Sequence, residues 1–286
     1  MKKLNFIIKY GLALLLLSFY SCESWLNVTP SDRLSEEMLF NDREGFVKAL
    51  NGVYIELNTN ELYGRNLTAG ALDVMGQYYS VASSSHAFYN YGGLVYTGND
   101  EKALFDNMWQ KCYAVIACCN TIIEKCDENK AGLSPVWRGS IKGEALALRA
   151  MLHFDMLRLF GPLTSELDKE SIPYQTNSDQ TVTPLLSGSE VVGLILDDLK
   201  NAVGLLKDTD PYFVEEEFSD TDLNYRRFRM NYFAAKGLMA RVQLWGGDKE
   251  KAAATAKEVI AEGQAEGAEF FPFVTNSEAT SSNPDR

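Results

Sequence analysis

The side chains that could do chemistry in this 286-residue chain are few and poorly grouped. Asp73, Asp100 and Asp106 lie in or near an aromatic-rich stretch, but nothing pairs them as the acid and base of a glycosidase would be paired across a cleft. The two histidines are far apart, His86 in a Ser/Tyr-rich stretch and His153 in a helical one, so no serine–histidine arrangement is indicated. Cys112, Cys118, Cys119 and Cys126 all fall on one predicted helix. Positions seven apart there stand roughly 10 Å apart at about 1.5 Å per residue, beyond the roughly 7 Å Cα limit of a disulfide. No histidine joins them at zinc-ligand spacing, which leaves buried free thiols acting as small apolar groups. Glu215, Glu216, Glu217, Asp220 and Asp222 could hold calcium, but their spacing is not that of an EF-hand; a solvated acidic loop is the alternative. No cofactor is implied and no catalytic residue is assigned.

Residues 58–103 carry a different kind of chemistry. They are rich in Gly, Ser, Asn and Tyr and show neither helical nor alternating periodicity. Tyr78, Tyr79, His86, Phe88, Tyr89, Tyr91 and Tyr96 crowd into this segment. Rings held on a loop can stack on the C–H faces of sugars while phenol, amide and hydroxyl groups bond the sugar hydroxyls. The competing reading is that the same rings pack the loop onto the helices behind it. For the segment as a whole, ligand contact is the expectation, and these seven residues are the candidate binding set.

The scaffold is dominated by Ile141–Pro162, IKGEALALRAMLHFDMLRLFGP. At about 100° per residue, Lys142, Arg149 and His153 share one stripe, and Glu144, Asp155 and Arg158 another roughly opposite, with apolar residues on both flanks. Two apolar flanks require helical neighbours on both sides. Gly161 and Pro162 end the helix. Upstream, Phe105, Trp109, Cys112, Ile116, Cys119 and Ile123 form one buried stripe. Asn120 lies off it, suited to satisfying a neighbouring loop. Phe46, Ala49, Leu50 and Val53 mark an earlier helix, for which Ser35 and Glu37 suggest a start. Residues 163–188 read as a polar loop, and Ser189–Leu206 as an amphipathic helix. Asn231–Gly263 is a helix pair about Gly246-Gly247-Asp248, with Ala240 and Ala252 at the small-residue spacing of a tetratricopeptide (TPR) repeat.

GEALALRAMLHFDMLRLFGP resembles the hallmark of the SusD/RagB family of outer-membrane nutrient-uptake lipoproteins. Glu144, Ala145, Leu148, Arg149, Ala150, Phe154, Leu159, Phe160 and Gly161 occupy its places, with Pro162 earlier than the family's usual proline. Trp109, Tyr113, Ile116, Asn120 and Ile123 are similar to a second family helix. Ile195, Asp198, Leu199, Ala202 and Leu205 are similar to a third, and Arg241 with the following turn to a fourth. Asp73 also matches a family position, to which no chemistry is attached. The resemblance implies an all-α fold of TPR-like stacked helix pairs with long irregular loop insertions. It implies residues 35–286 as one N-terminal helical domain carrying the insertion 58–103, and a chain shorter than family members.

The start of the chain agrees. Residues 1–21 read as an export signal, with Lys2 and Lys3 before the apolar Leu12–Leu17 and Phe19. Ser21 then precedes Cys22 in the manner of a lipoprotein cleavage site, although Phe19 and Tyr20 replace the usual leucine and small residue. Plain secretion, with Cys22 left as a thiol, is the alternative. Lipidated Cys22 would tether the protein to a membrane without spanning it, and residues 22–34, with Leu26–Pro30, would form the tether. Net charge is −12, and −15 without residues 1–21, which argues against a nucleic-acid partner, whose phosphates need a basic protein surface.

By resemblance, the chain is then a non-enzymatic lipoprotein at the outer face of the outer membrane. It would bind oligosaccharides and deliver them to a SusC-like TonB-dependent transporter. The alternative is a TPR-type envelope scaffold, or a peptide-binding protein in the RagB manner.

Overall fold

A computed structural model describes residues 36–179, 181–214, 217–219, 225–264, 270 and 275–280. The export signal, Cys22, the tether, Ser35, the C-terminal Asn283–Arg286 and most of the acidic run (Glu215, Glu216, Asp220, Asp222) lie outside the described residues.

The first helical region is two helices, α1 (Glu36–Leu39) and α2 (Arg43–Leu57), where periodicity suggested one. Asp42 divides them, because its carboxylate accepts the Gly45 N–H at 2.8 Å and caps α2. Two short helices, α3 (Ala71–Met75) and α4 (Tyr89–Gly92), punctuate an otherwise turn-rich stretch. The long helices follow: α5 (Asn99–Glu128) and α6 (Pro135–Phe160). Between them Asn129 adopts the left-handed conformation (φ +46°), and its amide oxygen accepts the Leu133 N–H at 2.8 Å, which reverses the chain. Ser134 caps α6 and Pro135 occupies its first turn, where no N–H is needed.

Residues 163–188 are not wholly loop. They hold an antiparallel pair, β1 (Glu170–Pro173) and β2 (Leu185–Ser187), with Glu170 opposite Ser187 and Pro173 opposite Leu185. Ser187 and Glu190 then form a reciprocal capping box that starts α7 (Gly188–Thr209). The last long pair is α8 (Tyr232–Trp245) and α9 (Lys249–Gly263), joined through Gly247 at φ +91° and capped by Asp248. A short α10 (Asn276–Ala279) follows.

Consecutive long helices pack on one another, α2 on α5, α5 on α6, α6 on α7, α7 on α8 and α8 on α9. One continuous apolar core runs through them. Helix α6 lies at its centre and is buried on every side over Ile141–Leu157 apart from Lys142 and Met151, as its two apolar flanks require. Its approach to α7 is set by Gly143. A Cβ there would stand 2.8 Å from Leu206 Cγ and 3.2 Å from the Ala202 carbonyl oxygen. Gly143→Ala should therefore lower unfolding free energy by about 1–3 kcal/mol. Gly204→Ala, on the same helix pair with nothing within 4 Å, should be neutral or stabilising by up to about 1 kcal/mol. Urea unfolding of the two variants checks the contrast.

Cys112, Cys119 and Cys126 are buried free thiols, and burial pushes each pKa up. Cys118 differs from the expectation: the neighbouring position on the helix turns it to the exposed face.

Candidate functional site

Two buried polar clusters on α6 explain why its polar stripes exist. Glu144 is fully inside. Arg226 Nη1 donates to its Oε2 at 2.5 Å, Arg229 Nε to its Oε1 at 2.7 Å, and the Tyr54 hydroxyl to Oε1 as well. Arg226 is also held by both oxygens of Asp210, at 3.0 and 2.6 Å. Burial alone would raise the Glu144 pKa, but the two guanidiniums outweigh it and hold the carboxyl below its ordinary value. The cluster clamps α2, α6, the end of α7 and the entry to α8 together.

The second cluster centres on Arg149, which makes a two-pronged bond to Asp198 at 2.7 Å for each prong and a third, at 2.9 Å, to Asn120 Oδ1. Asn120 Nδ2 donates to the carbonyls of Gln175 and Asn177, the loop-satisfying role expected for it. Tyr174 donates to Asp198 at 2.6 Å and stacks on His153, ring centroids 4.0 Å apart. His153 Nε2 accepts the Gln175 N–H at 3.0 Å, and Nδ1 lies 3.0 Å from the Arg149 carbonyl. The ring is therefore neutral, donating through Nδ1 and accepting through Nε2. These bonds fasten the 174–177 strap to α5, α6 and α7.

Burial pushes the His153 pKa down to about 3. The folded value lies below the ordinary imidazole value of about 6.5. Between those limits the unfolded chain binds a proton that the folded chain refuses. This contribution to stability is complete above pH 6.5 and is lost as pH falls, by about 1.4 kcal/mol per unit. His153→Gln should flatten that acid limb, measured as urea midpoints at about pH 7 and about pH 5.

Both clusters have their partners inside the protein. Exposed polar and aromatic side chains gather on the loop before α5, and Tyr225 and Phe228, ahead of α8, are exposed as well. Tyr78, Tyr79 and Tyr89 are 79%, 52% and 42% exposed, and His86 is exposed beside half-buried Phe88. Tyr91 turns the other way, at 2% exposure. It packs edge-on against Phe88 and Phe105, and its hydroxyl reaches the Asp100 carbonyl. Burial with Glu101 and Asp100 nearby pushes its pKa up to about 12. Tyr96 is half-buried against Phe105 and Tyr91. The loop thus divides its rings: Tyr91, Tyr96 and the inner side of Phe88 anchor it, and the other four candidates face solvent. Tyr91 leaves the candidate binding set on that ground.

Two walls, residues 77–81 and 89–95, enclose a concavity of about 440 Å³ lined by Gln77, Tyr79, Ser80, Tyr89, Asn90 and Val95 among others. Gln77 Nε2 joins the walls, donating to the Gly92 carbonyl at 3.0 Å and to the Val74 carbonyl at 3.3 Å. Asn90 Nδ2 donates to Glu101 at the start of α5, 2.7 Å away. Gln77 and Leu94 hold left-handed backbone (φ +62° and +55°), a strain kept at each end of the concavity. Gln77 and Asn90 were not singled out from the sequence, where they carry no signal beyond their place in a polar stretch. A second concavity of about 320 Å³ lies against Tyr54, Tyr63, Met151, Phe228 and Met230 and is mainly apolar. Among the described residues no group of acidic, histidine or cysteine side chains could hold a metal ion, and no helix is long and apolar enough to cross a membrane.

A family model described as SusD-like, "Starch-binding associating with outer membrane", matches residues 24–244. The chain belongs to the SusD-like family. A SusD-like protein of Formosa agariphila is 25% identical over 265 residues, covering 90% of this chain and 46% of the relative. A SusD-like protein of Bacteroides ovatus is 30% identical over 146 residues, half of this chain and 23% of the relative. The chain thus spans about half the length, or less, of the curated relatives it matches. Among solved structures, a SusD-like carbohydrate-binding protein of Bacteroides vulgatus superposes with TM-score 0.64 at 23% identity, over 83% of this chain and 47% of that one. A laminarin-binding SusD-like protein gives 0.62 at 18% identity, over 85% and 49%. These likenesses carry the fold: SusD-type stacked helix pairs, with the hallmark helix at the centre.

Proposed function

We propose that this SusD-like chain is a lipid-anchored protein of the outer membrane, exposed at the cell surface. It binds oligosaccharides on the 77–95 loop face and passes them to a SusC-like TonB-dependent transporter without breaking glycosidic bonds. The observation that carries the reading is the loop itself, with Tyr78, Tyr79 and Tyr89 presented to solvent from a frame whose buried charges are already paired. The family description and the laminarin-binding neighbour support a glycan as ligand. Stacking on phenol rings and hydrogen bonds to amides and hydroxyls supply affinity; no proton transfer is required.

The test is retention on immobilised polysaccharides together with recovery of bound partners from membranes. Glycan retention and co-purification of a large β-barrel transporter are expected. Capture of peptides with no glycan retained would favour the RagB-like alternative, for which the apolar concavity beside Phe228 and Met230 offers a place for side chains. Release of reducing sugar would overturn the non-catalytic assignment. Incorporation of a palmitate analogue, abolished by Cys22→Ala, is the expected result for the anchor, and labelling that survives the substitution would refute it.

A further inference from the structure

We infer that the loop concavity selects uncharged sugars and rejects glycans bearing carboxylate or sulfate, an inference that rests on the loop reading proposed above. Its lining carries hydroxyls, amides, backbone and two valines, and no cationic side chain. A uronate or sulfate group entering it would lose water without gaining a guanidinium or ammonium partner, the arrangement that makes burial of an anion unfavourable. Arg65, which reaches this loop at Phe88, is otherwise engaged: its guanidinium lies over the Phe88 ring at 5.8 Å and donates to Asn66 Oδ1.

The charge standing directly behind the lining has the opposite sign. Glu101 takes the Asn90 amide, which holds its carboxyl below the ordinary range, so it is ionised at neutral pH. The chain as a whole carries −12, so the long-range field also disfavours an anionic approach. A neutral sugar hydroxyl, both donor and acceptor, matches the Tyr79 and Tyr89 phenols, the Ser80 hydroxyl and the amides without needing a counter-charge. The Gln77 bridge fixes the walls in advance, so affinity need not be spent on ordering them.

Calorimetric titration of the full chain with laminarihexaose, maltohexaose, a galacturonic-acid hexamer and a carrageenan hexamer tests this at about 50 and about 500 mM NaCl. At least one neutral hexamer should bind with affinity unchanged within about twofold across that salt range, and the acidic and sulfated hexamers at least about tenfold more weakly. Ser80→Arg, at an exposed position of the lining, should raise affinity for the acidic hexamers by about tenfold and make it fall with salt. Acidic or sulfated hexamers that bind as tightly as neutral ones, and lose binding with Tyr79→Ala, would overturn the selectivity while leaving the loop as the site. Failure of every hexamer to bind, or binding indifferent to Tyr79→Ala and Tyr89→Ala, would overturn the loop reading itself.

Discussion

Replacing Glu144 with alanine should lower the free energy of unfolding by about 3–5 kcal/mol, because it leaves the buried Arg226 and the half-buried Arg229 without their shared carboxylate. Arg226 is 2% exposed, and of its anionic partners only Asp210 would remain. Arg229 would lose its ionic partner while keeping Asn51, and the Tyr54 hydroxyl would lose its acceptor while keeping the Met230 N–H. The effect should spread beyond one helix contact, since four segments meet at this cluster. At about 2–4 °C per kcal/mol for a chain of this class, the thermal midpoint should fall by roughly 10 °C. Glu128→Ala is the contrast. Its pairs with Lys125 and Lys130 are largely in solvent, so the change should stay within about 1 kcal/mol. Calorimetric melting of the two variants reads the difference directly. A Glu144 variant as stable as the Glu128 one would mean the cluster does not hold the frame together.

The second large effect concerns ligand. The double substitution Tyr79→Ala/Tyr89→Ala should cost about 2–3 kcal/mol of binding free energy, a roughly 30- to 150-fold loss, in the range of truncated aromatic anchors. Both rings border the concavity and neither contributes to the core, so the melting temperature should move by no more than about 2 °C. Tyr91→Phe provides the opposite pattern. It removes a hydroxyl that reaches only the Asp100 carbonyl, at 3.4 Å, and leaves the buried ring in place. Affinity should stay within about twofold of the parent. Loss of affinity in Tyr91→Phe but not in the double variant would reverse the division of the loop into anchoring and contacting rings.

Much of the frame could be read from residue periodicity. Two apolar flanks on one helix demanded neighbours on both sides, and α6 has them in α5 and α7. The α8–α9 pair announced itself through Gly246-Gly247-Asp248, since a left-handed glycine followed by a capping aspartate leaves the chain few options. What periodicity could not reveal were partners distant in sequence. Glu144 meets Arg226 across 82 residues and Arg149 meets Asp198 across 49; a wheel shows that a charge is on a buried face, not which charge will join it. Short devices were missed for a related reason. The Asp42 cap that splits α1 from α2 interrupts the chain for too few residues to break an apolar pattern. The β1–β2 pair is three to four residues a strand, too short to show alternation.

The loop was legible as a composition and not as a geometry. A cluster of tyrosines in a Gly/Ser/Asn stretch pointed to a binding face, yet which rings turn inward depends on contacts with Phe105. Tyr89 and Tyr91 are two residues apart, one facing solvent and the other buried, and nothing in their flanking residues distinguishes them. Gln77 escaped notice because its importance lies in a backbone angle and a bridge to Gly92.

Hydrogen–deuterium exchange measured with and without a bound neutral hexasaccharide tests the central claim most directly. An inert helical frame carrying a recognition loop predicts slowed exchange over residues 77–95 and unchanged exchange in α6, α7 and α8. Protection centred instead on the apolar concavity around Phe228 and Met230, with residues 77–95 unaffected, would contradict it.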